Sequence, residues 1–136
     1  MIQAMYGKQK KEIAAEFIIV PDAKKDALWK IYDKYETERK ALGQQKVKLL
    51  EKYVNAYDTL GDKSTDAIIK QTMALQKSTD ALIAKYYDQI SKAVGVKPAA
   101  QFYQLEYFFL NVVRGYIMDN IPFIGDLEKE ADHEQH

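Results

Sequence analysis

With 136 residues, the chain has the length of a single domain built around one modest core. Twenty Lys and Arg stand against twenty Asp and Glu, and this zero balance argues against nucleic acid as the main partner, since phosphate binding needs a cationic surplus. There is no cysteine, and the two histidines, His133 and His136, are both at the C-terminal end, which excludes disulfides, thiolate chemistry, Cys-ligated metals and histidine catalysis from inside the fold.

Three prolines, six glycines and ten tyrosines suit long helices joined by few turns. The first helix is predicted over 7–18, where Ile13 and Phe17 lie four apart among Lys8, Lys10, Lys11, Glu12 and Glu16. Pro21 interrupts it, and Asp22 is placed to cap the next helix. That second helix is predicted over 23–60, roughly 55 Å at 1.5 Å per residue. Its seam of Leu28, Ile31, Tyr32, Tyr35, Leu42, Leu49, Tyr53 and Leu60 keeps a near-heptad period. Glu38 and Gln45 break the seam beside Gly43, which predicts a bend or soft stretch over 38–46.

Gly61-Asp62-Lys63 marks a turn, with Ser64 as the expected cap of a third helix. Ile68, Leu75, Thr79, Ile83, Tyr86 and Ile90 give its stripe. Gly95 fits a left-handed terminating position, and Pro98 fits the first turn of a fourth helix running to about Asn120. The fourth helix is apolar on more than one face, from Phe102 and Leu105 through Phe108, Phe109, Val112 and Val113. It must pack into the groove of the hairpin formed by the second and third helices, or bury its extra face against a second chain. These segments predict an all-α fold: a long antiparallel helical hairpin, a short N-terminal helix and a packing C-terminal helix. Residues 1–124 form one helical domain, and 125–136 form an acidic tail expected to be mobile. No stretch approaches the roughly 20 apolar residues of a membrane-spanning helix.

Few residues suggest chemistry. Glu130-x-x-His133 matches half of a di-iron ligand motif, but no internal histidine completes it. His133-x-x-His136 offers at most weak capture of a stray divalent ion. Glu36 and Glu38 point to different helix faces, and Glu36 is expected to pair with Lys40 at the surface. Glu106, lying between Leu105 and Tyr107, is expected to bond a buried donor such as Tyr or Arg. Most tyrosines read as core and seam residues. Residues 1–60 carry twelve basic and nine acidic groups, while 61–136 carry eight and eleven. Lys8, Lys10, Lys11, Lys24, Lys25, Lys46, Lys48 and Lys52 are expected to form a solvated helix face with i,i+4 pairs, with a mildly basic hairpin face as the alternative. No nucleophile–base pair, metal set or phosphate-cradling loop stands out, so no enzyme, cofactor or metal site is expected.

The run Ala27-Leu28-Trp29-Lys30-Ile31-Tyr32-Asp33-Lys34-Tyr35-Glu36-Thr37-Glu38-Arg39, the stretch Ala99-Ala100-Gln101-Phe102-Tyr103-Gln104-Leu105-Glu106 and the closing Ile121-Pro122 resemble the periplasmic Spy and CpxP proteins of the LTxxQ-motif superfamily. The positions of the LTxxQ signatures read Val20-Pro21-Asp22-Ala23-Lys24 and Leu60-Gly61-Asp62-Lys63-Ser64, without the Thr or the Gln. The resemblance implies a periplasmic helical hairpin, able to dimerise and linked to the stress response, that acts without a cofactor as a chaperone or sensor partner. An export signal would then have been removed ahead of the chain. The cysteine-free composition suits the cytoplasm equally well.

The expected function is non-enzymatic: an exported, chaperone-like binding protein that shields apolar segments of unfolded or envelope proteins. Trp29, Tyr32, Tyr35 and Phe102 are the named candidates for client or partner contact. Two alternatives are a structural or signalling partner of one envelope protein, and a carrier of a small apolar ligand between helices. A homodimer is a further expectation.

Overall fold

The structure, a computed structural model, describes residues 2–56 and 59–120, with side-chain environments for 9–56 and 59–115. Four helices account for nearly all of them: α1 (Ile2–Phe17), α2 (Asp22–Asn55), α3 (Asp62–Val94) and α4 (Val96–Asn120). No strand occurs among the described residues. The all-α fold, with its hairpin and packing C-terminal helix, is therefore observed.

Local chemistry explains most of the helix ends, with several differences from expectation. α1 begins at Ile2 and carries Gly7 inside it, because an interior glycine costs only about 1 kcal/mol. α2 starts behind Pro21, whose φ of −58° and ψ of 148° turn the chain into the helix. Asp22 is the first helical residue and makes no side-chain cap; its carboxylate accepts from Lys25 at 2.9 Å, where its charge also suits the helix N-terminus. Ser64 is likewise no cap: α3 starts two residues earlier, behind Gly61, and Thr65 N–H donates to Gly61 O at 2.9 Å. α2 stops at Asn55, short of Leu60, where Ala56 N–H closes back on Lys52 O at 3.2 Å. Through 38–46 the helix runs unbroken. Gly95 ends α3 at φ +118°, a region that favours glycine, and Pro98 falls in the first turn of α4.

Side-chain pairs give the register. Tyr35 meets Tyr86 at 5.4 Å between ring centroids, and Lys85 donates to Glu38 at 3.3 Å, which joins α2 to α3. Along α4, Tyr103 meets Tyr87, Tyr107 donates to Asp80 at 2.7 Å, and Arg114 donates to Gln76. Partners on α3 thus descend as α4 ascends, so the two are antiparallel. Phe102 stacks edge-on against Tyr35 at 4.9 Å and Tyr32 at 6.3 Å, bringing α4 onto α2. α1 lies antiparallel to both: Lys10 reaches Glu106, and nine residues later Ile19 N–H donates to Gln101 Oε1 at 2.9 Å.

This topology creates two unlike ends. The α1–α2 and α3–α4 turns share one end, and there the core is dense: Ile18, Leu28, Tyr32, Tyr35, Ile83, Tyr86, Ile90, Val94, Ala99 and Phe102 are buried. At the other end, around the α2–α3 turn, no described residue of α2 beyond Tyr35 is buried. Leu42, Leu49, Leu50 and Tyr53 are only half-buried there.

Candidate functional site

Within the dense end, one lysine is buried among carboxylates and rings. Lys10 is 2% exposed, and its ammonium donates to Glu36 Oε1 and to Glu106 Oε1, each at 2.5 Å. Three rings lie within cation–π range of the same nitrogen: Tyr35 and Phe109 at 5.3 Å and Tyr32 at 5.6 Å to the centroid. Arg39 grips Glu36 with two nitrogens, Nη2 to Oε2 at 2.7 Å and Nε to Oε2 at 3.0 Å. Glu106 is also 2% exposed; its Oε2 and the Tyr32 hydroxyl are buried and have no hydrogen-bond partner among the described residues.

The electrostatics divide the two carboxylates. Burial opposes ionisation of Glu36, but the Arg39 hydrogen bonds and the Lys10 charge outweigh it and hold the carboxyl below its ordinary range. For Glu106 burial dominates over Lys10, and the carboxyl is pushed up. Burial also raises Tyr35 and Tyr32, and the neighbouring Glu106 charge adds to both rises.

Several expectations are corrected here. Glu36 does not pair with Lys40 at the surface; it is half-buried between Lys10 and Arg39. Glu106 does bond a buried donor, Lys10, and the Tyr35 hydroxyl also hydrogen-bonds its carboxyl. Lys10 leaves the solvated face altogether. On α1 the inward stripe is Lys10, Ala14 and Ile18, whereas Ile13 and Phe17 are each 44% exposed. Of the four named contact residues, Tyr32, Tyr35 and Phe102 are core in this fold, and only Trp29 is partly exposed. A client could reach the first three only if the helices separated.

Exposed apolar residues lie at both ends: Ile19 and Val96 stand open beside the turns of the dense end, and a longer set lies further along the helices. Phe108 is 59% exposed, and Val112, one turn further along α4, is open as well. Ile69 and Met73 repeat this four-residue spacing on α3, and Val47 and Val54 lie seven apart on α2. These pairs occupy the second half of α2, the first half of α3 and the middle and second half of α4. In an antiparallel array these stretches run from the middle of the bundle to the loosely packed end. Sequence periodicity flagged the extra apolar face of α4, but Met73 and Val54 carried no such signal.

Among the described residues, no three His, Cys, Asp or Glu side chains are grouped to hold a metal ion. Glu130, His133 and His136 lie outside the described residues. No helix among the described residues is long and apolar enough to cross a membrane. No family model matches the chain, no curated protein matches its sequence, and no solved structure matches its fold.

Proposed function

We propose that the protein is a non-enzymatic helical binding protein that shields apolar segments of unfolded or envelope proteins in the manner of a chaperone. The supporting observation is the apolar exposure from the middle of the bundle to the loosely packed end, where Val47, Val54, Ile69, Met73, Phe108 and Val112 stand open on three neighbouring helices. Exposed apolar groups that recur at helical spacing on adjacent helices are the kind of surface that binds apolar segments. A periplasmic site of action belongs to the proposal and follows from the resemblance to Spy- and CpxP-like proteins.

The test is aggregation of a reduced model client followed by light scattering. Near-stoichiometric protein is expected to suppress it, and Phe108→Ser with Val112→Ser is expected to reduce the suppression several-fold while leaving helicity unchanged. No suppression at a several-fold excess would sink the proposal. A pull-down from envelope extract that returns one dominant band would point instead to a dedicated partner. A homodimer through the same end would appear as a doubled mass in light scattering, abolished by the same two substitutions.

A further inference from the structure

We propose that α2 and α4 form a binding site for a primary ammonium on an alkyl stem, and that Lys10 of α1 is its built-in occupant. Every receptor group comes from those two helices: the carboxylates of Glu36 and Glu106, and the rings of Tyr32, Tyr35 and Phe109. α1 contributes only the ligand, flanked by Ala14 and Ile18. Rings supply the quadrupole attraction that cages cations, while the carboxylates at 2.5 Å require N–H donors. A quaternary ammonium meets the first requirement and fails the second.

The charges favour an occupant. Arg39 already neutralises Glu36, so without Lys10 the buried Glu106 must either stand as an uncompensated charge or take up a proton. The site also has acceptors to spare. An ammonium carries three N–H groups and Lys10 uses two on the carboxylates, while Glu106 Oε2 and the Tyr32 hydroxyl remain buried and unpartnered. The ligand class is therefore a lysine side chain, supplied here by α1. This inference does not depend on the chaperone reading.

The experiment uses the full chain carrying Lys10→Ala, which keeps Cβ and removes the equivalent of one propylammonium. Thermal unfolding is followed with propylammonium chloride against equal concentrations of KCl, and with tetramethylammonium chloride as a cation lacking N–H donors. Expected is a saturable rise in Tm of roughly 3–8 °C with propylammonium alone, absent from wild type and lost when Glu106→Gln is added. If Lys10→Ala does not fold unaided, folding restored by propylammonium and not by KCl supports the same site. A variant that responds no better to propylammonium than to KCl overturns the proposal. An equal response to tetramethylammonium also overturns it, because the carboxylates would then play no part.

Discussion

Lys10 sits in surroundings that its side chain ordinarily avoids, at 2% exposure in a helical interior. Desolvating each ion of a buried pair costs several kcal/mol, and only close, well-formed contacts offset that. Here the offset comes from two carboxylates at 2.5 Å and three rings. Removing one partner is the damaging change: Lys10→Ala should cost about 3–5 kcal/mol in urea unfolding. Pairing Lys10→Met with Glu106→Gln removes both charges and should recover most of that loss. A second prediction concerns pH. The Glu106 carboxyl is raised by burial from its ordinary value of 4.5. Its contribution to stability is therefore complete below about that value and is lost as pH rises through the higher folded-state value. Glu106→Gln, neutral at every pH, should gain on wild type as pH increases from 4 to 7. Glu36 has the opposite sign, since its lowered carboxyl contributes above the ordinary value and loses that contribution in acid. Urea midpoints of both Gln variants across this range separate the two effects, and parallel profiles would refute the assignment.

At the level of elements, α1 is held by a narrow stripe. Lys10, Ala14 and Ile18 face inward at four-residue spacing, while Ile13 and Phe17 face water. Apolar periodicity favours Ile13 and Phe17 as the inward pair, and that choice fails because the attraction on Lys10 comes from groups 26 and 96 residues away. α3 behaves conversely: Ile68, Thr79, Ile83, Tyr86 and Ile90 are read from periodicity and are buried, and Thr79 satisfies its hydroxyl by donating to Leu75 O at 2.9 Å. The α3–α4 joint rests on Gly95 at φ +118°, where an added Cβ would meet Pro98 Cδ at an ordinary 3.7 Å. Space is thus available but the backbone is not. Gly95→Ala should destabilise by about 1–3 kcal/mol through backbone strain alone, measured by denaturant unfolding, whereas Gly61→Ala, at φ −90° with nothing near its Cβ, should change stability far less.

Across the whole molecule, stability should be graded between the ends. The dense end buries residues from all four helices, while beyond Tyr35 α2 has none that is fully buried. Local opening is cheap where buried apolar contacts are few. Amide hydrogen exchange should therefore be faster over 45–55 and 62–67 than over 28–36 and 83–94. Uniform protection along α2 would contradict this gradient. An end with few buried contacts, joined to a dense aromatic core, would let the proposed binding surface adapt to varied segments.

Helix number, the antiparallel hairpin and the turns at Pro21 and Gly95 were legible along the chain, because periodicity, proline and glycine act over a few residues; the α2–α3 turn begins five residues earlier than read, after Asn55. The candidate contact set was not. Tyr32, Tyr35 and Phe102 have the composition of a binding surface, and whether such residues face water or a neighbour depends on how α1 and α4 close over α2. That closure turns on Lys10, a residue with no apolar signal, and on Glu36 and Glu106, which look like unrelated surface and helix carboxylates until folding brings them to the same nitrogen. Long-range charge pairing leaves no local pattern, so the buried cation emerged only once the helices were packed.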